Sequence, residues 1–298
     1  MITPTLLRWY EANRRDLVWR TPATGAWGVL LSEVMSQQTP VRRVEPLWCE
    51  WMQRWPTPAD LAAAGTDEVL RAWGRLGYPR RALRLQECAV AITERHGGRV
   101  PDDVDELLAL PGIGDYTARA VAAFAYGKPV PVVDTNVRRV YRRLVDGRFL
   151  AGSPRRRDLD DVAAILPEDP KLVPQFSVAL MELGALLCTA ARPNCGACPV
   201  RVDCAWQQAG CPEPTADELG AARKRVQKFV GTDRQVRGKI MAVLRDADGP
   251  VDRSRVDSVW PDEAQRTRAL VSLLGDGLAE EDEAGRIGLP RRGAAMDR

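Results

Sequence analysis

Four cysteines, Cys188, Cys195, Cys198 and Cys204, are spaced closely enough for one short loop to bring their sulfurs to a single centre. Thiolates are soft ligands, and four of them suit a cubane iron–sulfur cluster or a tetrahedral zinc ion. The spacing by itself leaves both open, and a set of unliganded thiols as well. Two carboxylates elsewhere can do acid–base or electrostatic work. Asp134 stands in Pro131-Val132-Val133-Asp134-Thr135-Asn136-Val137-Arg138-Arg139, where it can cap a helix opening just after it and hold a negative charge at a fixed height. Capping alone accounts for an aspartate at that place, and the two roles are compatible. Glu33 lies in the apolar stretch from Trp27 to Thr39, where Glu33, Ser36 and Gln37 form a narrow polar stripe at i, i+3 and i+4. A solvent-facing glutamate is the plain alternative. A carboxyl beside so much apolar surface can also retain its proton and act as a general acid.

A further unit, Leu110-Pro111-Gly112-Ile113-Gly114-Asp115-Tyr116-Thr117-Ala118, is a glycine turn running into an apolar helix. Gly112 and Gly114 allow close approach of a ligand, and the unpaired N–H groups of the following helix suit a phosphate. A simple helix-to-helix turn uses the same residues. The scaffold for these groups is helical: residues 27–38, 58–74, 79–96, 103–109, 115–126, 135–145, 158–166 and 174–187 all show helical spacing, and strand-like runs are scarce. Residues 212–229 read as a charged linker. Beyond it, helices over 233–247, 253–259 and 261–274 and a hairpin over 278–289 predict a winged-helix-like module. The expected fold is all-α, with a body over 1–211, the cysteine loop at 188–204, the linker, and a small C-terminal module over 230–298.

With 298 residues and 45% hydrophobic content the chain can build more than one core, and 28% charged residues argue against a membrane protein. The net charge of +3 is small, so arginine pairs at 42/43, 80/81, 138/139 and 142/143 and the run 155–157 matter more. They are either local patches for an anionic partner or a solvated surface. The remaining cysteines, Cys49, Cys88 and Cys211, show no second paired spacing; with no secretory signal, a reducing cytoplasm is expected.

Taken with Arg15-Asp16-Leu17-Val18-Trp19-Arg20, Ser32-Glu33-Val34-Met35-Ser36-Gln37-Gln38-Thr39, Gly74-Arg75-Leu76-Gly77-Tyr78 and Met181-Glu182-Leu183-Gly184-Ala185, these motifs resemble the helix-hairpin-helix DNA glycosylases with an iron–sulfur loop. Within that superfamily the chain is similar to the MutY-type adenine DNA glycosylases, over roughly residues 4–206. The resemblance implies a six-helix barrel domain plus a cluster domain, with a 4Fe-4S cluster on Cys188, Cys195, Cys198 and Cys204. It implies a monomeric, monofunctional base excision repair enzyme, cytoplasmic and nucleoid-associated, that hydrolyses the N-glycosidic bond of adenine mispaired with 8-oxoguanine or guanine in double-stranded DNA. Glu33 would protonate the flipped adenine at N7, and ionised Asp134 would stabilise the oxocarbenium ion. Tyr116 stands where lyase relatives carry a Schiff-base lysine and would pack beside the site, while Asn136 would orient the nucleophile and water. Arg20 and Trp27 would line the adenine pocket, Gln37 and Gln38 complete the adenine-type helix pattern, and Glu182 matches a family acid one layer behind the site. Gln38 and Tyr78 would enter the base stack, Gly112 and Gly114 would hold a phosphate, and Arg192 and Arg201 would make the cluster loop a basic surface.

A thymine or uracil mismatch glycosylase of the same superfamily and a non-catalytic iron–sulfur DNA-binding protein are the competing readings. Three departures stand out: Val18 for a usual proline, Ser36 for a leucine and Pro79 for an aromatic. About seventy residues follow the linker, too few for the Nudix-like domain that recognises 8-oxoguanine in long family members. The single histidine, His96, leaves no counterpart for that domain's histidine-containing loop. A smaller preference between opposite bases than in long relatives is expected.

Overall fold

The computed structural model describes residues 2–223 and 229–291. In chain order the helices are α1 (Thr3–Asn13), α2 (Gly25–Ser36), α3 (Val41–Arg54), α4 (Pro58–Ala63), α5 (Thr66–Trp73), α6 (Arg80–His96), α7 (Val104–Leu108), α8 (Asp115–Tyr126), α9 (Thr135–Leu144) and α10 (Asp158–Ala163). They continue with α11 (Val173–Leu186), α12 (Ala205–Gln208), α13 (Ala216–Arg223), α14 (Asp233–Asp246), α15 (Arg253–Asp257) and α16 (Glu263–Gly275). Strands β1 (Glu280–Glu281) and β2 (Ile287–Gly288) form an antiparallel pair, the only sheet among the described residues. No helix among them is long and apolar enough to cross a membrane.

The expected helix over 58–74 is two helices, because Gly65 breaks the run and caps α5. Helix α3 escapes the periodic reading: Pro46 lies inside it, and its buried stripe of Val44, Trp48 and Trp51 overrides the lost backbone bond. Helix α13 falls within the stretch expected as a linker. The C-terminal elements match expectation closely, with three helices followed by the hairpin.

The chain divides into two compact units that do not follow chain order. The first comprises residues 1–29, 102–105 and 114–226. Its core joins Leu6 and Tyr10 of α1, Val137, Val140 and Leu144 of α9, Phe176, Leu180 and Leu183 of α11, and Val200, Cys204 and Trp206 of the cysteine segment. The arginine pairs of α9 face inward. Arg138, Arg139, Arg142 and Arg143 are all buried, and Arg138 pairs with Asp158 at 2.7 Å while Arg142 pairs with Asp146. Arg155 and Arg157 are likewise engaged by Asp158 and Asp161. This corrects the reading of the four α9 arginines as a surface patch, since a buried guanidinium needs a fixed partner; Arg155 and Arg157 stay at the surface.

The second unit comprises residues 30–101, 106–113 and 227–298. Trp51 is its centre, with Trp55 and Trp73 rings edge-on at 4.8 and 5.6 Å and its indole N–H on the Ala72 carbonyl at 3.2 Å. A capping box at Thr57 and Asp60 starts α4, which packs on α6. In the C-terminal part Val236, Ile240, Met241 and Leu244 of α14 are buried, as are Leu270 and Leu273 of α16, the helix packed against it. Val251 bridges to Ile287 and ties the hairpin in.

Candidate active site

Asp134 is the N-cap of α9. One carboxylate oxygen accepts from the Val137 N–H at 2.7 Å, and the other from the Asn136 side-chain amide at 2.7 Å. Asn136 is fixed in turn, its carbonyl oxygen accepting from Arg139 Nη2 at 2.7 Å. Arg139 continues the chain of bonds to the carbonyls of Gly184 and Cys188, both at 2.7 Å. A Cβ on Gly184 would lie 2.7 Å from the Asn136 Cβ, so α11 reaches α9 this closely only with glycine there. Desolvation raises the Asp134 pKa above the ordinary aspartate value; hydrogen bonds from Val137 and Asn136 and the charge of Arg139 oppose it without prevailing. The carboxylate is held by donors yet remains proton-prone.

Glu182, on α11, is fully buried. Its carboxylate accepts from the Arg15 backbone N–H at 2.8 Å, from Arg15 Nε at 2.8 Å and Nη2 at 2.9 Å, and from Arg20 Nη2 at 2.8 Å. Burial alone would raise its pKa, but the hydrogen bonds from Arg15 and Arg20 win and bring it down to about 2. Arg20 therefore takes its place from Glu182, with a second bond to the Arg15 carbonyl at 3.1 Å. Tyr116, in the first turn of α8, is half-buried and packs on the small core of Ala120, Ala123 and Val132 with Phe124, Val130 and Met181. Gly114 caps α8 with open space over its Cα. Trp27 is buried on α2.

Cys188, Cys195, Cys198 and Cys204 line one pocket of the first unit, together with Arg143, Arg201 and Trp206. Arg143 is 1% exposed, donates to the Cys188 sulfur at 3.3 Å and to the Thr189 and Ala190 carbonyls at 2.7 and 3.1 Å, and lies 4.1 Å from the centroid of the Phe149 ring. Cys204 donates its thiol to the Arg143 carbonyl at 3.3 Å. Burial raises the thiols of Cys195 and Cys204, and pushes Cys198 up to about 11. Among the described residues no group of three or more His, Cys, Asp or Glu closes around a single metal ion.

In the second unit Glu33 sits half-buried on α2 between buried Ser32 and Val34. The turn after it carries Gln38 at φ +54°, and the turn before α6 carries Tyr78 at φ +48°, both in the left-handed region that non-glycine residues rarely enter. One side chain joins the two turns. Arg81 donates to the carbonyls of Val34 at 2.8 Å, Met35 at 3.2 Å and Gln37 at 2.8 Å, and to Thr39 Oγ1 and the Gly77 carbonyl at 3.1 Å each. Its buried Nε–H has no partner among the described residues, a cost of about 1–3 kcal/mol accepted for the five bonds that register the turns. Gly112, at φ +75°, leaves 2.7 Å between a would-be Cβ and the Arg84 Cβ, so its position excludes any side chain.

The structure thus brings Asp134 to Asn136, Arg20 to Glu182, Gln37 and Tyr78 to a common guanidinium, and the four cysteines to one pocket. Sequence reasoning missed Arg81, Arg139 and Arg143 as organisers. Each belongs to a noted arginine pair, but pairing does not say which member turns inward.

The model of the HhH-GPD superfamily base excision DNA repair protein family matches residues 31–147. An endonuclease III–DNA complex superposes with a TM-score of 0.59 at 26% identity, covering 70% of this chain and 94% of that one. Adenine DNA glycosylases of Mycolicibacterium smegmatis and Mycobacterium tuberculosis are 58% and 54% identical, each over 97% of this chain and over 96% and 93% of their own lengths. The chain belongs to the adenine DNA glycosylase family.

Proposed function

We propose that this adenine DNA glycosylase acts on duplex DNA carrying adenine opposite 8-oxoguanine or guanine, with Asp134 and Glu33 as its two working carboxylates. The observation that carries the reading is the bonded series Asp134, Asn136, Arg139, which fixes a carboxylate at a helix start without burying it in an ion pair. Adenine leaves poorly as an anion. Glu33 gives its proton to N7, the C1′–N9 bond breaks with its electron pair going to the base, and neutral adenine departs. The sugar is left as an oxocarbenium ion, which ionised Asp134 stabilises or captures at C1′. Water then attacks C1′, releasing the Asp134 oxygen where it has bonded there; Asn136 orients the water, and its proton passes to a carboxylate, leaving an abasic sugar. Assignment of both carboxylates to one nucleotide comes from the motif resemblance, as do pocket roles for Arg20 and Trp27, stack entry by Gln38 and Tyr78, and phosphate binding at Gly112 and Gly114. Arg20 is supported further by its locked guanidinium, and Tyr116 by its packing beside Val132.

Cys188, Cys195, Cys198 and Cys204 would hold a 4Fe-4S cluster. Four thiols that line one pocket suit such an inorganic core, and Arg143 beside Cys188 would offset its negative charge. When bound, the cluster would serve as a structural cross-link. The division into a body over 1–211, a linker over 212–229 and a module over 230–298 belongs to the same proposal.

Chromatography of the base released from A:8-oxoguanine, A:G and T:G duplexes tests the assignment. Free adenine from the first two and nothing from the third is expected; thymine release, or no release at all, overturns it.

A further inference from the structure

The C-terminal module reaches the Tyr78 turn. Tyr78 is 41% exposed on its left-handed backbone, and two guanidinium groups lie over its ring: Arg81 at 5.7 Å and Arg234, from the first turn of α14, at 4.8 Å. Arg234 also lies 5.4 Å from the centroid of the Phe229 ring, which is 48% exposed. Tyr78, Arg234 and Phe229 therefore make an exposed series of ring, cation and ring. The module is fastened around this point, since Arg71 donates to the Arg245 carbonyl and Asp276 takes Arg80 at 3.2 Å and Arg237 at 2.6 Å.

A stabilising role does not explain the arrangement. An exposed cation–π contact contributes little to stability, and here it leaves two aromatic rings in water and a non-glycine residue in a strained conformation. The chemistry suits nucleic acid: flat rings stack on any base, and a guanidinium serves a phosphate or the acceptor edge of a guanine. The Tyr78 face that Arg234 covers is a face that an entering ring must give to a base pair.

We propose that Arg234 is a positioning residue of the glycosylase, acting with Tyr78 as one element at the mispair: it holds the ring in the free enzyme and moves to a neighbouring phosphate when bases replace it on that face. This rests on the reading of Tyr78 as the residue that enters the stack. The C-terminal module is then part of the mispair-engaging surface.

The test uses the full chain and a duplex in which 2′-fluoro-adenosine, which resists oxocarbenium formation, stands opposite 8-oxoguanine. Affinity is measured across salt concentrations for wild type, Arg234→Ala, Arg234→Lys, Tyr78→Ala and the Tyr78→Ala/Arg234→Ala double variant. Arg234→Ala should bind roughly three- to tenfold more weakly, with a salt slope shallower by about one counterion. On the Tyr78→Ala background the same change should cost markedly less. Arg234→Lys should restore the salt slope while losing part of the coupling to Tyr78, because an ammonium does not stack as a plane. Unchanged affinity and slope in Arg234→Ala, or fully additive losses, overturn the proposal. If the wild type releases no adenine from the unmodified substrate, the functional reading has failed; if it does and Arg234→Ala is silent, only this inference has.

Discussion

At the scale of single residues, Asp134 caps α9, and one substitution separates that role from the catalytic one proposed for it. Asparagine caps a helix about as well as aspartate, so Asp134→Asn keeps the Val137 contact while removing the charge. Excision in single-turnover assays should fall by about 10²–10³ with binding to mispaired DNA retained; a wild-type rate would reduce Asp134 to a cap. Because desolvation raises its pKa, the ionised carboxylate is lost to protonation sooner than in an ordinary aspartate. Wild-type rate should therefore climb with pH through a value above the usual aspartate range, a limb missing from the residual activity of Asp134→Asn. Tyr116 makes a second residue-level claim. With no lysine at the hairpin position, borohydride should trap no covalent adduct on DNA during turnover, and an efficient adduct would refute the monofunctional assignment. The Asp134 cap was legible from the sequence because an aspartate just ahead of Val137 and Val140 suits a helix start. Arg81 was not: its work is done on backbone carbonyls of turns about forty residues away, and backbone carbonyls leave no mark in a sequence.

At the scale of elements, Glu182 fastens the Arg15–Arg20 segment to α11. Removing one member of a buried pair leaves the other charges uncompensated, so Glu182→Gln should cost about 3–5 kcal/mol in denaturant unfolding. The pH dependence has a definite sign. The folded pKa, about 2, lies below the ordinary 4.5, so the ionised carboxylate's contribution is complete above 4.5 and disappears as pH falls toward 2. Wild-type stability should decline over that window more steeply than the variant's; parallel curves would mean the pair carries no net weight. Helix legibility followed the same physics. Helices α6, α8 and α9 were readable from periodicity and punctuation, whereas α3 was hidden by Pro46 and declares itself only through the tryptophan core that its neighbours complete.

At the scale of the whole molecule, the cysteine segment is part of a core as well as the ligand set proposed above. Val200, Cys204 and Trp206 pack with α1, α9 and α11, so losing the cluster should loosen the first unit rather than a surface loop. Cys198→Ser should bring iron down from about four atoms per chain and lower the melting temperature of the purified protein; full iron content, or zinc in its place, would argue against the cluster. The family was readable because its motifs are local strings. The interleaving of the two units was not, since it depends on which distant helices share a core. That interleaving bears on how the chain is made. On the ribosome, residues 30–101 can begin to pack as they emerge, but α1 has left the tunnel long before its partner exists: Arg15 and Glu182 are 167 positions apart. Leu6 and Tyr10 must wait in water, or in the keeping of a chaperone, until α11 is synthesised. Helix α11 ends at Leu186 and the four-cysteine loop opens at Cys188, so docking of α1 and completion of that loop become adjacent events in the life of the nascent chain.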